Sequence, residues 1–126
     1  MRLNQITLPS LDVSRGRDFY VRLGFTLIVD SPPDYVRLEA PAGGTTLSLH
    51  RVAAMPVGET AVVYLESDAL DAEVARLKAA GFAFRQEPRD ESWLWREARL
   101  RDPDGNELCL YHAGANRLNP PWRVKS

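Results

Sequence analysis

The chain has 126 residues, 44% hydrophobic and 26% charged, with a formal net charge of −1. That is the size and balance of one globular domain, and a charge so near zero gives no electrostatic case for nucleic acid or an anionic membrane as partner. No apolar run approaches the roughly 20 residues of a membrane helix, the opening residues lack the apolar stretch of a signal peptide, and the single cysteine, Cys109, excludes an intrachain disulfide and suits a reducing, cytoplasmic setting.

In chain order, residues 6–8 predict a short strand closed by Pro9. A helix follows over 13–23. Asp12 or Ser14 caps it, because a side-chain oxygen there accepts first-turn N–H groups, and Phe19, Tyr20 and Leu23 recur at helical spacing. Gly24 stands where a helix commonly ends in the left-handed conformation. Residues 25–29 are apolar and β-branched, hence a strand. Ser31-Pro32-Pro33-Asp34 is turn chemistry, and 35–39 with 45–52 reads as a hairpin about Gly43-Gly44. Residues 53–59, with Pro56 and Gly58, form a linker. A second strand–helix pair spans 61–66 and 70–80, capped by Ser67 or Asp68, striped by Leu70, Val74 and Leu77 and stopped by Gly81. Residues 82–84 begin the next strand, 88–91 form a loop and 92–100 a long strand. Asp102-Pro103-Asp104-Gly105-Asn106 is a turn, and 107–112 the final strand. Residues 113–126 read as an irregular tail, in which Pro120-Pro121-Trp122 lies extended and buries Trp122 against the body or a partner subunit.

The order repeats. Arg22-Leu23-Gly24-Phe25 and Ala79-Ala80-Gly81-Phe82 each end a helix that follows a strand, and Leu47-Ser48-Leu49-His50 matches Leu108-Cys109-Leu110-Tyr111. The expected architecture is α+β: two βαβββ modules, about 1–55 and 59–112, forming a curled mixed sheet around a cleft within one domain 1–126, with a tail over 113–126.

Two stretches carry a resemblance. They are Leu11-Asp12-Val13-Ser14-x-x-x-Asp18-Phe19-Tyr20-x-x-Leu23-Gly24-Phe25, and Arg96-Glu97-Ala98-x-x-x-Asp102-Pro103-Asp104-Gly105-Asn106-Glu107-Leu108. Together with the duplication they resemble the vicinal oxygen chelate superfamily, which includes glyoxalase I, bleomycin-resistance proteins and extradiol ring-cleavage dioxygenases. Metal-using members hold a divalent ion with side chains from the first and last strand of each half. Those positions fall here on Gln5, Ser48, Ala61 (or a neighbour, if the register is shifted by one) and Cys109. Gln5 suits the pattern; the other three depart from it, since alanine supplies no donor and a serine hydroxyl is a poor ligand. The resemblance therefore implies a protein that binds an organic small molecule in the cleft without the usual catalytic metal, acting as a homodimer. The competing expectation is a metal-dependent enzyme, a lyase of the lactoylglutathione lyase kind or a dioxygenase, using nickel, zinc, iron or manganese with a rearranged ligand set of Gln5, His50 and Cys109.

Residues two apart on a strand share a face, so His50 goes with Ser48 and Tyr111 with Cys109. His50 is a general base or replacement ligand if functional, and otherwise a solvated strand-end histidine at the rim. Cys109 is a reactive thiol if a cation lowers its pKa, and otherwise a buried structural residue. Trp93 and Trp95 share a face of the expected long strand; they wall a ligand pocket, or pack in the core or a dimer interface. Arg37, Arg96, Arg99 and Arg101 bind an anionic substrate or form a solvated face. Gln5, Ser48, His50 and Tyr111 would supply the oriented hydrogen bonds.

Overall fold

The computed structural model describes residues 1–125. The chain forms two compact units: residues 1–60 with 102–106, and residues 61–101 with 107–125. Each unit carries strand, helix and three strands, the expected α+β, βαβββ order.

In the first unit the elements are β1 (Gln5–Ser10), α1 (Val13–Leu23), β2 (Thr26–Ser31), β3 (Tyr35–Glu39) and β4 (Thr46–Arg51). The sheet order is β1-β4-β3-β2, with β1 and β4 parallel and the other pairs antiparallel. Helix α1 forms because Asp12 caps it, accepting from Arg15 N at 3.1 Å, and because Val13, Gly16, Tyr20 and Leu23 bury one face. It ends at Gly24, whose φ of 120° is open to glycine and costly for other residues. Gly16 sits where a Cβ would collide with Leu49 Cδ1, so the helix packs here directly on the Leu49 side chain of β4. The core beneath it is Leu8, Val36, Leu38, Leu47 and Leu49. The turn 102–106 belongs to this unit. Tyr20 Oη donates to Asp102 Oδ2 at 2.8 Å, Ser10 Oγ to Asp104 Oδ2 at 2.6 Å, and Asn106 Nδ2 to the Pro9 carbonyl at 3.1 Å.

In the second unit the elements are β5 (Val62–Glu66), α2 (Leu70–Ala79), β6 (Phe84–Asp90), β7 (Arg96–Arg101), β8 (Glu107–His112) and a 3-10 turn, η1 (Gly114–Arg117). The sheet order is β5-β8-β7-β6, again with one parallel pair, β5 and β8. Leu70, Val74 and Leu77 of α2 are buried, as are Ala98, Leu100, Leu108 and Leu110 of the strands.

Several expectations are corrected. β1 runs through Pro9, and the expected loop 88–91 lies mostly inside β6, which contains Pro88. Both are edge strands, where a missing N–H costs no ladder bond. The long strand over 92–100 starts only at Arg96. Residues 91–95 form a turn closed by Glu91 N to Trp95 O at 2.8 Å, with Leu94 at φ 67°, so Trp93 does not share a strand face with Trp95. Helix α2 has no side-chain cap; the Ser67 hydroxyl instead accepts from Ala69 N at 3.1 Å. The tail contains η1, and Trp122 is 57% exposed rather than buried against the body. Ser126, the last residue of that tail, lies outside the described residues.

Candidate functional site

The register of the first sheet sets out a polar face. Gln5 lies opposite Thr46; Thr7 and Arg37 flank Ser48; Tyr35 lies opposite His50. These residues alternate with Leu8, Val36, Leu38, Leu47 and Leu49, which pack under α1, so the polar set occupies the face without a helix. Ser48 is fully buried at its centre. Its Oγ accepts from Gln5 Nε2 at 2.7 Å and lies 2.6 Å from Tyr35 Oη, and Arg37 Nε donates to that phenol oxygen at 2.9 Å. Thr46 Oγ1 closes the chain by donating to Gln5 Oε1. Burial pushes the Tyr35 phenol up, but the hydrogen bonds from Ser48 and Arg37 and the Arg37 charge outweigh it, and the phenol rests below its ordinary value.

His50 is exposed and makes no hydrogen bond or ion pair among the described residues. It lines a shallow depression of about 360 Å³ with Asp34, Arg51, Val52 and Ala53. The carboxylate there is engaged by Arg51 at 3.0 Å. Among the described residues no carboxylate is hydrogen-bonded to the imidazole.

In the second unit the corresponding face carries Val62, Tyr64, Glu97, Arg99, Cys109 and Tyr111. Trp95 stacks on Tyr111 with ring centroids 4.6 Å apart, and Tyr64 meets both rings edge-on. Val62 and Trp95 pack on the cluster of Cys109, Tyr111 and Ala113. Glu97 is buried; it accepts from Trp93 Nε1 at 2.7 Å and from Arg99 Nη2 at 3.1 Å. Burial pushes the Cys109 thiol up to about 12, helped by the Glu97 charge and opposed by Arg99.

Of the expected site residues, Gln5 and Ser48 are in direct contact, Trp95 and Tyr111 are stacked, and Cys109 lies beside that stack. Trp93 belongs with Glu97 instead, and His50 stands apart from the hydrogen-bonded chain. The position read as Ala61 is Val62, since Val62 pairs with Glu107 as Gln5 pairs with Thr46. Tyr35, Tyr64 and Glu97 were not singled out from sequence. The signal available was alternation: Tyr35-x-Arg37 and Glu97-x-Arg99 each place two polar groups on one face of a strand. The four arginines divide. Arg96 pairs with Asp71 of α2 and with Asp90, Arg99 with Glu97, and Arg101 with Glu107, while Arg37 has no carboxylate partner among the described residues.

The donor chemistry at the four strand positions does not fit a divalent metal. Gln5 and Ser48 spend their polar atoms on each other, Thr46 and Tyr35; Val62 has no donor; and Cys109 alone falls short of the three protein ligands that a catalytic metal site takes. Among the described residues, no group of three or more His, Cys, Asp and Glu side chains is placed to hold a metal ion.

The model of the glyoxalase/bleomycin resistance protein/dioxygenase superfamily matches residues 2–110. A glyoxalase/bleomycin resistance protein/dioxygenase from Nocardioides shares the fold with a TM-score of 0.80 at 23% identity, over 99% of this chain and 90% of that one. A bleomycin-binding protein solved with bleomycin gives a TM-score of 0.70 at 24% identity over 89% of this chain and 98% of its own. A lactoylglutathione lyase from Agrobacterium tumefaciens gives 0.71 at 19% identity over 88% and 92%. Likeness at these identities speaks for the fold alone. No curated protein matches the sequence. No helix among the described residues is long and apolar enough to cross a membrane. With the family model spanning both βαβββ modules, the chain belongs to the glyoxalase/bleomycin resistance protein/dioxygenase superfamily.

Proposed function

We propose that the protein binds an organic small molecule on the helix-free faces of its sheets and does so without a tightly held divalent metal. The observation that carries this reading is the state of the donors at the strand positions where metal-using relatives place ligands. Gln5 and Ser48 are tied into a hydrogen-bonded chain, Val62 is apolar, and the Cys109 thiol is buried and protonated. Breaking the Gln5–Ser48 bond would count against metal affinity, and Cys109 alone falls short of the three ligands a catalytic site takes. What those faces offer instead is the guanidinium of Arg37, whose terminal nitrogens have no acceptor among the described residues, and aromatic surface from Tyr64, Trp93 and Trp95. Such a mixture suits organic ligands.

The test is metal analysis with thermal shift on one sample. Protein purified without added metal is expected to carry far less than about one equivalent of nickel, zinc, iron or manganese, and Tm is expected to stay constant when each is added, because only a ligand that binds the folded state raises Tm. About one equivalent together with a clear rise in Tm would overturn the metal-free reading. The protein would then belong with the lyases or dioxygenases, whose metal acts as a Lewis acid.

A further inference from the structure

The two sheets carry an arginine at the same register position. Arg37 lies opposite Ser48 in the first, and Arg99 opposite Cys109 in the second. Two residues earlier on the same strand face stand Tyr35 and Glu97. In the second unit the acid neutralises the cation. Arg99 Nη2 donates to Glu97 Oε1 at 3.1 Å, and Nη1 lies 3.9 Å from Glu107 Oε1. In the first unit a phenol takes the place of the acid. Arg37 Nε donates to Tyr35 Oη, and the guanidinium carbon lies 5.5 Å from the centre of the ring.

That exchange leaves the Arg37 charge uncompensated. The acids close to it in sequence are committed elsewhere: Glu39 accepts from Gly44 N at 3.1 Å, and Asp34 holds Arg51. Among the described residues Arg37 forms no ion pair, and its two terminal nitrogens have no acceptor. Those nitrogens form the fork that matches a carboxylate in geometry. The other end of the guanidinium is fixed, because Tyr35 is held by Ser48 and Ser48 by Gln5. A fixed fork loses little freedom when an anion arrives.

We propose that Arg37, positioned by Tyr35, receives a carboxylate or comparable oxyanion of the organic ligand, so that the ligands of this protein are anionic. The proposal rests on the small-molecule reading above and narrows it to a chemical class. The internal repeat supports it by contrast: at the equivalent position the chain supplies a carboxylate of its own to Arg99, and at Arg37 it supplies none among the described residues.

Two fluorescent probes of nearly the same aromatic skeleton test it, anilinonaphthalene sulfonate and the neutral N-phenylnaphthylamine. Folded wild-type protein is expected to bind both, with the sulfonate preferred. Arg37→Gln is expected to weaken the sulfonate about tenfold, the loss associated with a charge-assisted hydrogen bond, and to affect the amine far less. Arg37→Lys keeps the charge and should restore part of the sulfonate affinity. If Arg37→Gln fails to fold, salt gives the same reading on wild-type protein: sulfonate binding should fall with ionic strength while amine binding holds. Equal effects on both probes, or none on either, would overturn the anion assignment and leave the small-molecule reading standing. Failure of wild-type protein to bind either probe would overturn the small-molecule reading, and the assignment with it.

Discussion

Ser48 and Cys109 hold equivalent places at the centres of their sheets, and each is fully buried on the face without a helix. Their chemistry differs because their neighbours do. Ser48 satisfies its hydroxyl through Gln5 and Tyr35, whereas Cys109 lies beside an aromatic stack with its thiol pushed up to about 12, chiefly by burial. The thiolate is the reactive form, so native Cys109 is expected to resist alkylation by iodoacetamide at about pH 8, while the same residue in denaturant reacts at the ordinary rate of a free thiol. Mass spectrometry of both samples decides it, and rapid native labelling would show an accessible, activated thiol. Sequence reading left the two states of Cys109 open, because the sequence alone did not show which groups surround the thiol. Tyr35 escaped notice for the same reason. Its interest comes from Arg37 and Ser48, and Ser48 sits on another strand.

At the level of elements, α1 and α2 were readable from apolar spacing and from the glycines that follow them, and both helices lie within a residue of their expected ends. Their caps are unequal. Asp12 accepts from Arg15 N, while Ala69 at the start of α2 offers no side-chain acceptor. Asp12→Ala is therefore expected to cost about 1 kcal/mol of stability, the usual loss at a capping position, measured by urea denaturation with the slope unchanged. A loss near zero would mean that the tertiary contacts of α1 carry its first turn without the cap. Strand ends were read less well. Pro9 and Pro88 looked like breaks and are tolerated in edge strands, a distinction that depends on sheet order rather than on residue type. The run 92–100 looked like one strand because tryptophans favour strands, yet 91–95 closes on itself as a turn.

Across the whole molecule, the turn at 102–106 comes from the second half of the sequence and belongs to the first compact unit. Asp102 accepts from the buried Tyr20 hydroxyl, from Asn106 Nδ2 at 2.9 Å and from the backbone of residues 104 and 106. Burial raises its carboxyl above the ordinary value despite these bonds. A fragment of residues 1–60 would leave the Tyr20 and Ser10 hydroxyls without these partners, at about 1–3 kcal/mol for each buried polar group unsatisfied. Such a fragment is expected to lack the near-ultraviolet circular dichroism and cooperative melting of the full chain. A cooperative, native-like melt of residues 1–60 would show that the turn is dispensable. The duplicated order, the helices and the family were legible along the chain, since periodicity, caps and turn residues act between neighbours. The partner of each polar group was not. Gln5 with Ser48, Tyr35 with Ser48 and Tyr20 with Asp102 all depend on strands and turns far apart in sequence. Folding alone brings those groups within hydrogen-bonding distance, and their pairing makes the hydrogen-bonded face of the first sheet.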